Sequence, residues 1–223
     1  MISRIKNKTQ FSLLKLKILP FEATKEIAIF ENLTPEIEQN KKILEPYYEH
    51  YVTSVSRPDM AASLELAAFM FSICKINQYK KVLDMGSGLS SFVFRLYAKE
   101  TYGVKVFSVD DDAAWLEKTK DFLNHYQLNT DNVFTLDQFL KKEETKFDCI
   151  LHDLNFVEVR INYVEKLMAM LEQDGFIVFD DVHKPDYLLS LLIKLKGFKC
   201  SMYNLKPVTT DNYGRFSLAV VKE

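Results

Sequence analysis

The stretch Lys81-Val82-Leu83-Asp84-Met85-Gly86-Ser87-Gly88-Leu89-Ser90-Ser91 decides the fold of this 223-residue chain. It predicts a short apolar strand that ends in an acid, a turn with two glycines, and the start of an apolar helix. Glycine adopts backbone angles that other residues avoid, and it lets a ligand approach the backbone closely. The unpaired N–H groups at the start of the helix favour an anionic group. The stretch therefore predicts a ligand-binding turn, with Asp84 placed to accept hydrogen bonds from an ammonium group.

A second acid follows at an informative distance. The segment Lys105-Val106-Phe107-Ser108-Val109-Asp110 predicts another strand, and its last residue lies about twenty residues beyond the glycines, where nucleotide-binding folds place a ribose-binding carboxylate. Ser91 stands at the third small position, where a dinucleotide-binding turn has Gly or Ala. The combination of strand, acid, glycine turn, helix, strand and acid is far more specific than a glycine turn alone.

With these residues the chain resembles the class I S-adenosylmethionine-dependent methyltransferases over roughly residues 80–223. The resemblance implies an α/β fold, with a Rossmann-like, seven-stranded, mostly parallel sheet whose last strand is antiparallel and helices on both faces. It implies S-adenosylmethionine as the cofactor. The cofactor-binding residues that it implies are Asp84, Gly86, Ser87, Gly88, Asp110, Asp111, Asp137 and Asp153.

Three residues are expected at the adenine. By the resemblance, Asp137 matches the acid that binds the adenine amino group, and Asp111 and Trp115 flank the ring. Trp115 has an equally plain interpretation as a partly buried helix residue, because large aromatic side chains are often buried in part.

From Lys81 onward the chain alternates between predicted strands and helices, which indicates a parallel sheet covered on both faces. A final hairpin joined by residues 206–215 supplies the antiparallel strand. The predicted strands are 81–85, 105–110, 133–136, 147–152, 176–180, 198–205 and 216–221, and the predicted helices are 90–99, 112–126, 138–142, 158–171 and 186–196.

Residues 1–78 are expected to form an N-terminal helical cap or extension, and residues 79–223 the cofactor-binding domain. The extension precedes the first predicted strand, so we expect it to pack outside the sheet. A helix is predicted over residues 35–52, and a second one is predicted to have Pro58 and Asp59 in its first turn. Residues 1–34 have no readable pattern. By the resemblance, such segments cover the acceptor pocket or form a homodimer contact.

Arg57 and a tyrosine cluster in this extension have two interpretations. Arg57, Tyr47, Tyr48 and Tyr51 are candidates for recognising the acceptor, or they are a surface arginine and packing aromatics. The second interpretation is favoured, because aromatic side chains usually contribute burial.

Composition limits the partners. A net charge of −2, with 48% apolar and 27% charged residues, is ordinary for a globular protein and gives no general attraction to nucleic acid. No apolar run is long enough to span a membrane. The three cysteines are far apart and form no Cys-x-x-Cys pair, so a reducing, cytoplasmic location is expected.

Acids also follow the fourth and fifth predicted strands. Asp153 follows the fourth, and Asp180 and Asp181 follow the fifth. They resemble the catechol and caffeoyl-CoA O-methyltransferase branch, in which acids at these strand ends bind a divalent cation such as Mg²⁺; the implied metal ligands are Asp153, Asp180 and Asp181. Two departures are visible: Asp181 stands where that branch commonly has Asn, and Phe156 where it has Lys.

The candidate catalytic residues are Asp153, Asp181 and His183, because the acceptor must lose a proton when it attacks a methyl group. A metal would lower the pKa of the acceptor hydroxyl. The metal-free alternative uses His183 as a general base, since imidazole exchanges protons near neutral pH.

The leading hypothesis is methyl transfer from S-adenosylmethionine to an oxygen of a small-molecule acceptor. One alternative is a nicotinamide-dependent oxidoreductase, against which stand the missing third glycine and the absence of a Tyr-x-x-x-Lys pair. Another is a non-catalytic partner protein on the same fold. Nucleic-acid methylation is disfavoured because the fourth strand ends in His-Asp-Leu-Asn and the chain has no basic stripe.

Overall fold

The structure is a computed structural model that describes residues 2–20, 30–142 and 145–223. Its elements, in chain order, are α1 Ile2–Lys15, β1 Ile18–Pro20, α2 Leu33–Ser54, α3 Leu64–Asn77, β2 Lys81–Met85, α4 Leu89–Glu100, β3 Lys105–Asp110, α5 Ala113–His125, β4 Val133–Thr135, α6 Leu136–Leu140, β5 Phe147–His152, α7 Val157–Arg160, α8 Val164–Met170, β6 Leu171–Phe179, α9 Pro185–Leu195, β7 Cys200–Asn204, α10 Lys206–Thr209 and β8 Leu218–Lys222.

The strands form one sheet in the order β1-β7-β8-β6-β5-β2-β3-β4. Strand β8 is antiparallel to both β6 and β7, and every other pairing is parallel. This confirms a mostly parallel sheet with an antiparallel last strand. The order reverses at β2, which lies between β5 and β3, so the carboxyl ends of these strands frame the crevice in which such folds bind ligands.

The predicted strand number was wrong by one. Residues Ile18–Pro20 pair in parallel with β7 and add an eighth strand at the edge of the sheet. This part of the extension therefore lies in the sheet and not outside it. A three-residue edge strand that ends in proline is too short for a period-2 pattern, and proline is tolerated there because one side of an edge strand forms no ladder.

Two apolar cores lie on opposite faces of the sheet, because successive side chains of a strand alternate between faces. Val82 packs in the core with α2, α3 and α4, whereas Leu83 packs in the core with α8 and α9. Helices α2 and α3 thus share a core with β2 and α4. The domain boundary at residue 78 remains a prediction. No helix in the described ranges is long and apolar enough to cross a membrane.

Helix α3 begins later than predicted. The Ser63 side chain accepts a hydrogen bond from the N–H of Leu66 and caps the helix. Pro58 and Asp59 lie in the preceding turn, where their carbonyl groups accept hydrogen bonds from Arg215. Met60, in the same turn, is 66% exposed. A side-chain cap and a distant arginine therefore fix this boundary.

The helix predicted over residues 158–171 is divided. Helix α7 ends at Arg160, α8 begins at Val164, and Leu171 already starts β6. The divided segment carries the Arg160 side chain toward the carboxyl ends of β5 and β6, where its guanidinium donates to the carbonyl groups of Leu154 and Asp180.

Candidate active site

A cleft of about 1140 Å³ opens at the carboxyl ends of the parallel strands. It is bounded on one side by the end of α2 and the turn after it, and on the other by the loops after β5 and β6. The predicted site residues that line it are Gly86, Ser87, Gly88, Asp110, Asp111, Asp153, Asp180, Asp181 and His183.

The glycine turn between β2 and α4 has positive φ angles at both glycines. Gly86 has φ 117°, and a Cβ atom there would lie 2.3 Å from the carbonyl oxygen of Asp153. Gly88 has φ 146°, and a Cβ atom there would lie 2.6 Å from the Tyr51 hydroxyl. No other residue fits either position without moving its neighbours, so the turn presents bare backbone to the cleft.

Asp84 is fully buried behind this turn and does not itself line the cleft. Its Oδ2 accepts a 2.5 Å hydrogen bond from Ser91 Oγ, whereas its Oδ1 has no partner among the described residues. Burial raises the pKa of the Asp84 carboxyl to about 7, although hydrogen bonds from serines oppose the shift. A buried acceptor without a donor fits the ammonium group that the resemblance assigns to this place.

Asp110, at the end of β3, is hydrogen-bonded to the turn that follows β2. Its Oδ2 accepts hydrogen bonds from the Ser87 backbone N–H at 2.7 Å and from Ser87 Oγ at 2.9 Å, and its Oδ1 accepts one from the N–H of Asp112 at 3.0 Å. Burial raises the pKa of Asp110, and these hydrogen bonds oppose the shift. The carboxylate is thus fixed at the cleft wall, where the resemblance places the ribose hydroxyls.

The residues expected at the adenine are only partly brought together. Trp115 lines the cleft, and its Nε1 donates a 2.8 Å hydrogen bond to the Ser87 carbonyl. Asp111 lies beside it and accepts a hydrogen bond from Asn155. Asp137 is exposed in the first turn of α6 and lies outside the residues that line the cleft. Its role in binding adenine stays a prediction.

The acids after β5 and β6 do meet, but around a cation of the chain itself. Arg160 Nη2 lies 2.7 Å from Asp153 Oδ1 and 3.4 Å from Asp181 Oδ2. Lys184 Nζ donates a 2.8 Å hydrogen bond to the same Asp181 oxygen. The cleft therefore contains a network of carboxylates and fixed cations.

These contacts set the protonation of the carboxylates. Burial raises the pKa of Asp153 against the opposing charge of Arg160, and burial with the neighbouring Asp181 raises the pKa of Asp180. At Asp181 burial also acts upward, but the hydrogen bond from Lys184 and the charge of Arg160 outweigh it and lower the pKa. Asp181 is thus the acid of the three that most favours its charged form.

The residues do not fit the divalent cation implied for Asp153, Asp180 and Asp181. Arg160 occupies the space between two of the acids, and Ser217 Oγ donates to Asp180 Oδ1 at 2.6 Å. Within residues 2–20, 30–142 and 145–223, no group of three or more His, Cys, Asp or Glu side chains is arranged to hold a metal ion.

His183 lies at the cleft, with its Nδ1 3.5 Å from Asp181 Oδ1. That distance suits an ion pair once the ring has gained a proton. Asp181 has φ 62°, a left-handed conformation that Asn and Asp adopt more readily than most residues, which explains why Asp can stand where the resembling branch has Asn.

His152 is fully buried, its Nε2 contacts the Arg160 carbonyl, and burial lowers its pKa to about 4. Its ring is neutral and structural.

Sequence reasoning missed or undervalued three residues. Arg160 was not singled out, since nothing local distinguishes an arginine inside a predicted helix. Tyr51 was favoured as packing, yet its hydroxyl reaches Gly88 at the cleft. Arg215 lies in the 206–215 loop, and the structure shows it holding the turn after α2 through the carbonyl groups of Pro58 and Asp59.

Comparison with known proteins supports the fold and no closer relationship. No protein-family model and no curated protein sequence matches this chain. Among solved structures, it is similar to the O-methyltransferase TomG from Streptomyces achromogenes, in complex with SAM, with a TM-score of 0.62 and 12% identity over 86% of this chain and 98% of that one. It is also similar to the SAH-bound Podospora anserina methyltransferase PaMTH1, with a TM-score of 0.60 and 17% identity over 92% and 97% of the two chains.

A third similar structure is the O-methyltransferase from Bacillus cereus in complex with SAH, with a TM-score of 0.58 and 14% identity over 91% of this chain and 96% of that one. At such identities the likeness shows the fold. The chain has the class I methyltransferase fold.

Proposed function

We propose that this protein transfers a methyl group from S-adenosylmethionine to an oxygen atom of a small-molecule acceptor. The observation that carries the proposal is the glycine cradle: bare backbone at Gly86 and Gly88 faces a cleft whose wall holds Asp110, with the unpartnered Asp84 oxygen behind it. These are the groups needed for a sulfonium nucleoside with an amino-acid tail. The solved structures of the same fold contain SAM or SAH.

When bound, S-adenosylmethionine supplies a methyl group already activated on a sulfonium. The chain has to bind the cofactor, orient the acceptor toward it and remove a proton from the acceptor. Asp84 accepts from the ammonium, Asp110 from the ribose hydroxyls, and Trp115 bounds the adenine end. His183 would take the proton of the acceptor hydroxyl, and the bound cofactor would supply the methyl group to that oxygen. Alignment of the two reactants supplies much of the acceleration.

The entrance of the cleft indicates an acceptor with an apolar or aromatic body. Phe156, Met60 and Tyr213 line the cleft while remaining 69%, 66% and 57% exposed. Large apolar side chains gathered at a pocket entrance typically contact a ligand. Arg57, which lines the same entrance, is placed to meet an anionic or hydroxyl-bearing substituent.

Thermal-shift measurements with matched concentrations of S-adenosylhomocysteine and NAD test the proposal. S-adenosylhomocysteine should raise the melting temperature, because a ligand that binds only the folded state stabilises it, and NAD should not. Transfer of labelled methyl groups to a panel of phenols and catechols then tests the acceptor class. Stabilisation by NAD alone would favour the oxidoreductase alternative, and stabilisation by neither ligand the non-catalytic one.

The expected assembly and location belong to the same proposal. We propose a homodimer through residues 1–78, supported by the exposed Leu13 on α1, Leu16 in the turn that follows and Leu19 on β1. Light scattering at several protein concentrations tests it, and a mass of one chain throughout would contradict it. The three free cysteines support a cytoplasmic location.

A further inference from the structure

Arg160 lies at the carboxyl ends of β5 and β6, beside the acids that follow these strands. Its Nη2 is 2.7 Å from Asp153 Oδ1, after β5, and 3.4 Å from Asp181 Oδ2, after β6. Its Nη1 lies 3.4 Å from the carbonyl oxygen of Asp180. One guanidinium therefore contacts all three residues implied as metal ligands.

The guanidinium is built into the fold. Its Nε donates to the carbonyl groups of Leu154 at 2.9 Å and Asn155 at 3.1 Å, and its Nη2 donates to that of Asn155 at 2.8 Å. The Arg160 residue is only 4% exposed, although it forms part of the cleft wall. A buried arginine held by carbonyl oxygens as well as carboxylates cannot swing away without leaving several polar groups unpaired.

We infer that Arg160 takes the place of the divalent cation, so that the site works with a fixed positive charge of the chain and binds no metal. This inference rests on the proposed methyl transfer for its role in catalysis, but the occupancy of the position is independent of it. Arg160 acts as a positioning residue: it holds Asp153 and Asp181 at the cleft and compensates their charge.

Electrostatics and geometry do not allow a Mg²⁺ ion and the Arg160 guanidinium to occupy this position together. A Mg²⁺ ion requires carboxylate oxygens at about 2.1 Å in a nearly octahedral arrangement. The Asp153 and Asp181 oxygens are already turned to Arg160, and Lys184 also donates to Asp181. A divalent ion added here would stand within contact distance of a buried guanidinium, and like charges at such separations repel strongly where water is excluded.

Manganese(II) is the probe for the test, because electron paramagnetic resonance distinguishes free from bound Mn²⁺. We would titrate it against the wild type, Arg160→Ala, Arg160→Lys and Arg95→Ala, each with and without S-adenosylhomocysteine. Arg95 is the matched control, since it is equally buried and donates to Asn129, Asp131 and Ser91 carbonyl oxygens and to Ser108 Oγ, and within the described part of the chain it forms no ion pair with a carboxylate.

The expected result is no bound Mn²⁺ in the wild type, Arg160→Lys or Arg95→Ala, and a gained site in Arg160→Ala, where the acids lose their internal cation. Mn²⁺ at about ten times its dissociation constant should raise the melting temperature of Arg160→Ala by roughly 3–6 °C. Arg160→Ala is expected to melt below the wild type without Mn²⁺, as Arg95→Ala should.

Binding of Mn²⁺ by the wild type that disappears in Asp153→Asn would overturn the inference, as would a folded Arg160→Ala that gains no site. If Arg160→Ala does not fold, the wild-type and Asp153→Asn titrations alone decide. Lack of stabilisation by S-adenosylhomocysteine counts against the proposed function, whereas the Mn²⁺ result decides on Arg160, so the two failures are distinguishable.

Discussion

The Tyr51 hydroxyl leaves no room for a Cβ atom on residue 88, since a Cβ built on Gly88 would be 2.6 Å from that oxygen. Tyr51 belongs to α2, so the N-terminal extension closes directly on the glycine turn. Burial, and then the nearby Asp84 carboxyl, raises the pKa of the Tyr51 phenol, which keeps the hydroxyl a hydrogen-bond donor.

Replacing Gly88 with alanine should therefore lower both stability and cofactor binding. We expect the free energy of unfolding to fall by about 2–4 kcal/mol, from a strained φ and the contact with Tyr51 together. Gly103→Ala is the control, because Gly103 also has a positive φ but open space around it. In thermal melts, adding Tyr51→Phe to Gly88→Ala should restore part of the lost stability. Adding Tyr51→Phe to Gly103→Ala should restore none. Equal effects of Tyr51→Phe in the two variants would contradict the predicted clash between the Tyr51 hydroxyl and a Cβ atom at position 88.

Asp84 predicts a pH dependence of stability. Its pKa is about 7 in the folded state and 3.8 ordinarily, so between these values the folded state keeps a proton that the unfolded state has lost. The free energy of unfolding of the ligand-free protein should then decrease as pH rises from about 4 to about 7.

Asp84→Asn should show a smaller decline, since the raised pKa values of Asp110, Asp153 and Asp180 still contribute, and should exceed the wild type by about 1–4 kcal/mol above pH 7 while binding S-adenosylhomocysteine more weakly. Urea unfolding at a series of pH values measures it. Ser91→Ala, which removes the hydrogen bond to Asp84 Oδ2, should move the decline to higher pH. A wild-type profile retained in Asp84→Asn would mean that the slope comes from another group.

Trp115 is the only tryptophan in the chain, and it lines the cleft. Binding of S-adenosylhomocysteine should therefore change the intrinsic fluorescence of the protein. Trp115→Phe should lose the signal and, without the hydrogen bond to the Ser87 carbonyl, bind about 2–10 times more weakly by calorimetry. Unchanged emission at saturation would place the ligand away from Trp115.

Arg215 joins two segments that lie far apart in the chain. It donates to the carbonyl groups of Pro58 and Asp59 and to Asp211 Oδ2. Arg215→Ala should lower the free energy of unfolding by about 1–3 kcal/mol and speed proteolytic cleavage around residues 55–63. Arg57→Ala is the control, since Arg57 is 75% exposed and its ion pair with Asp59 should contribute less than about 1 kcal/mol. Equal cleavage rates in the two variants would contradict this role.

His183 is the expected general base. His183→Ala should reduce the turnover number on a true acceptor by about 10²–10⁴-fold and leave the affinity for S-adenosylhomocysteine unchanged. His125→Ala, a histidine of α5 outside the cleft, should leave both values unchanged. Full turnover in His183→Ala would require another proton acceptor.

Much of the fold and half of the site could be predicted from the sequence. The alternation of apolar strands and helices determines the parallel sheet, and the glycine turn and Asp110 follow directly from it, because a residue at the carboxyl end of a parallel strand must reach the ligand edge. The acids after β5 and β6 were located by the same rule.

What fills the space between those acids is a matter of tertiary packing. Arg160 reaches Asp153 and Asp181, Tyr51 reaches Gly88, and Ile18–Pro20 pairs with β7, all through contacts between segments that no local pattern relates. Asp137 follows a strand as the others do, yet it stays exposed outside the cleft wall. Periodicity and turn chemistry are properties of neighbouring residues, so the sequence by itself determined the strand ends; which side chains meet there depends on how distant segments pack, and only the folded chain decides it.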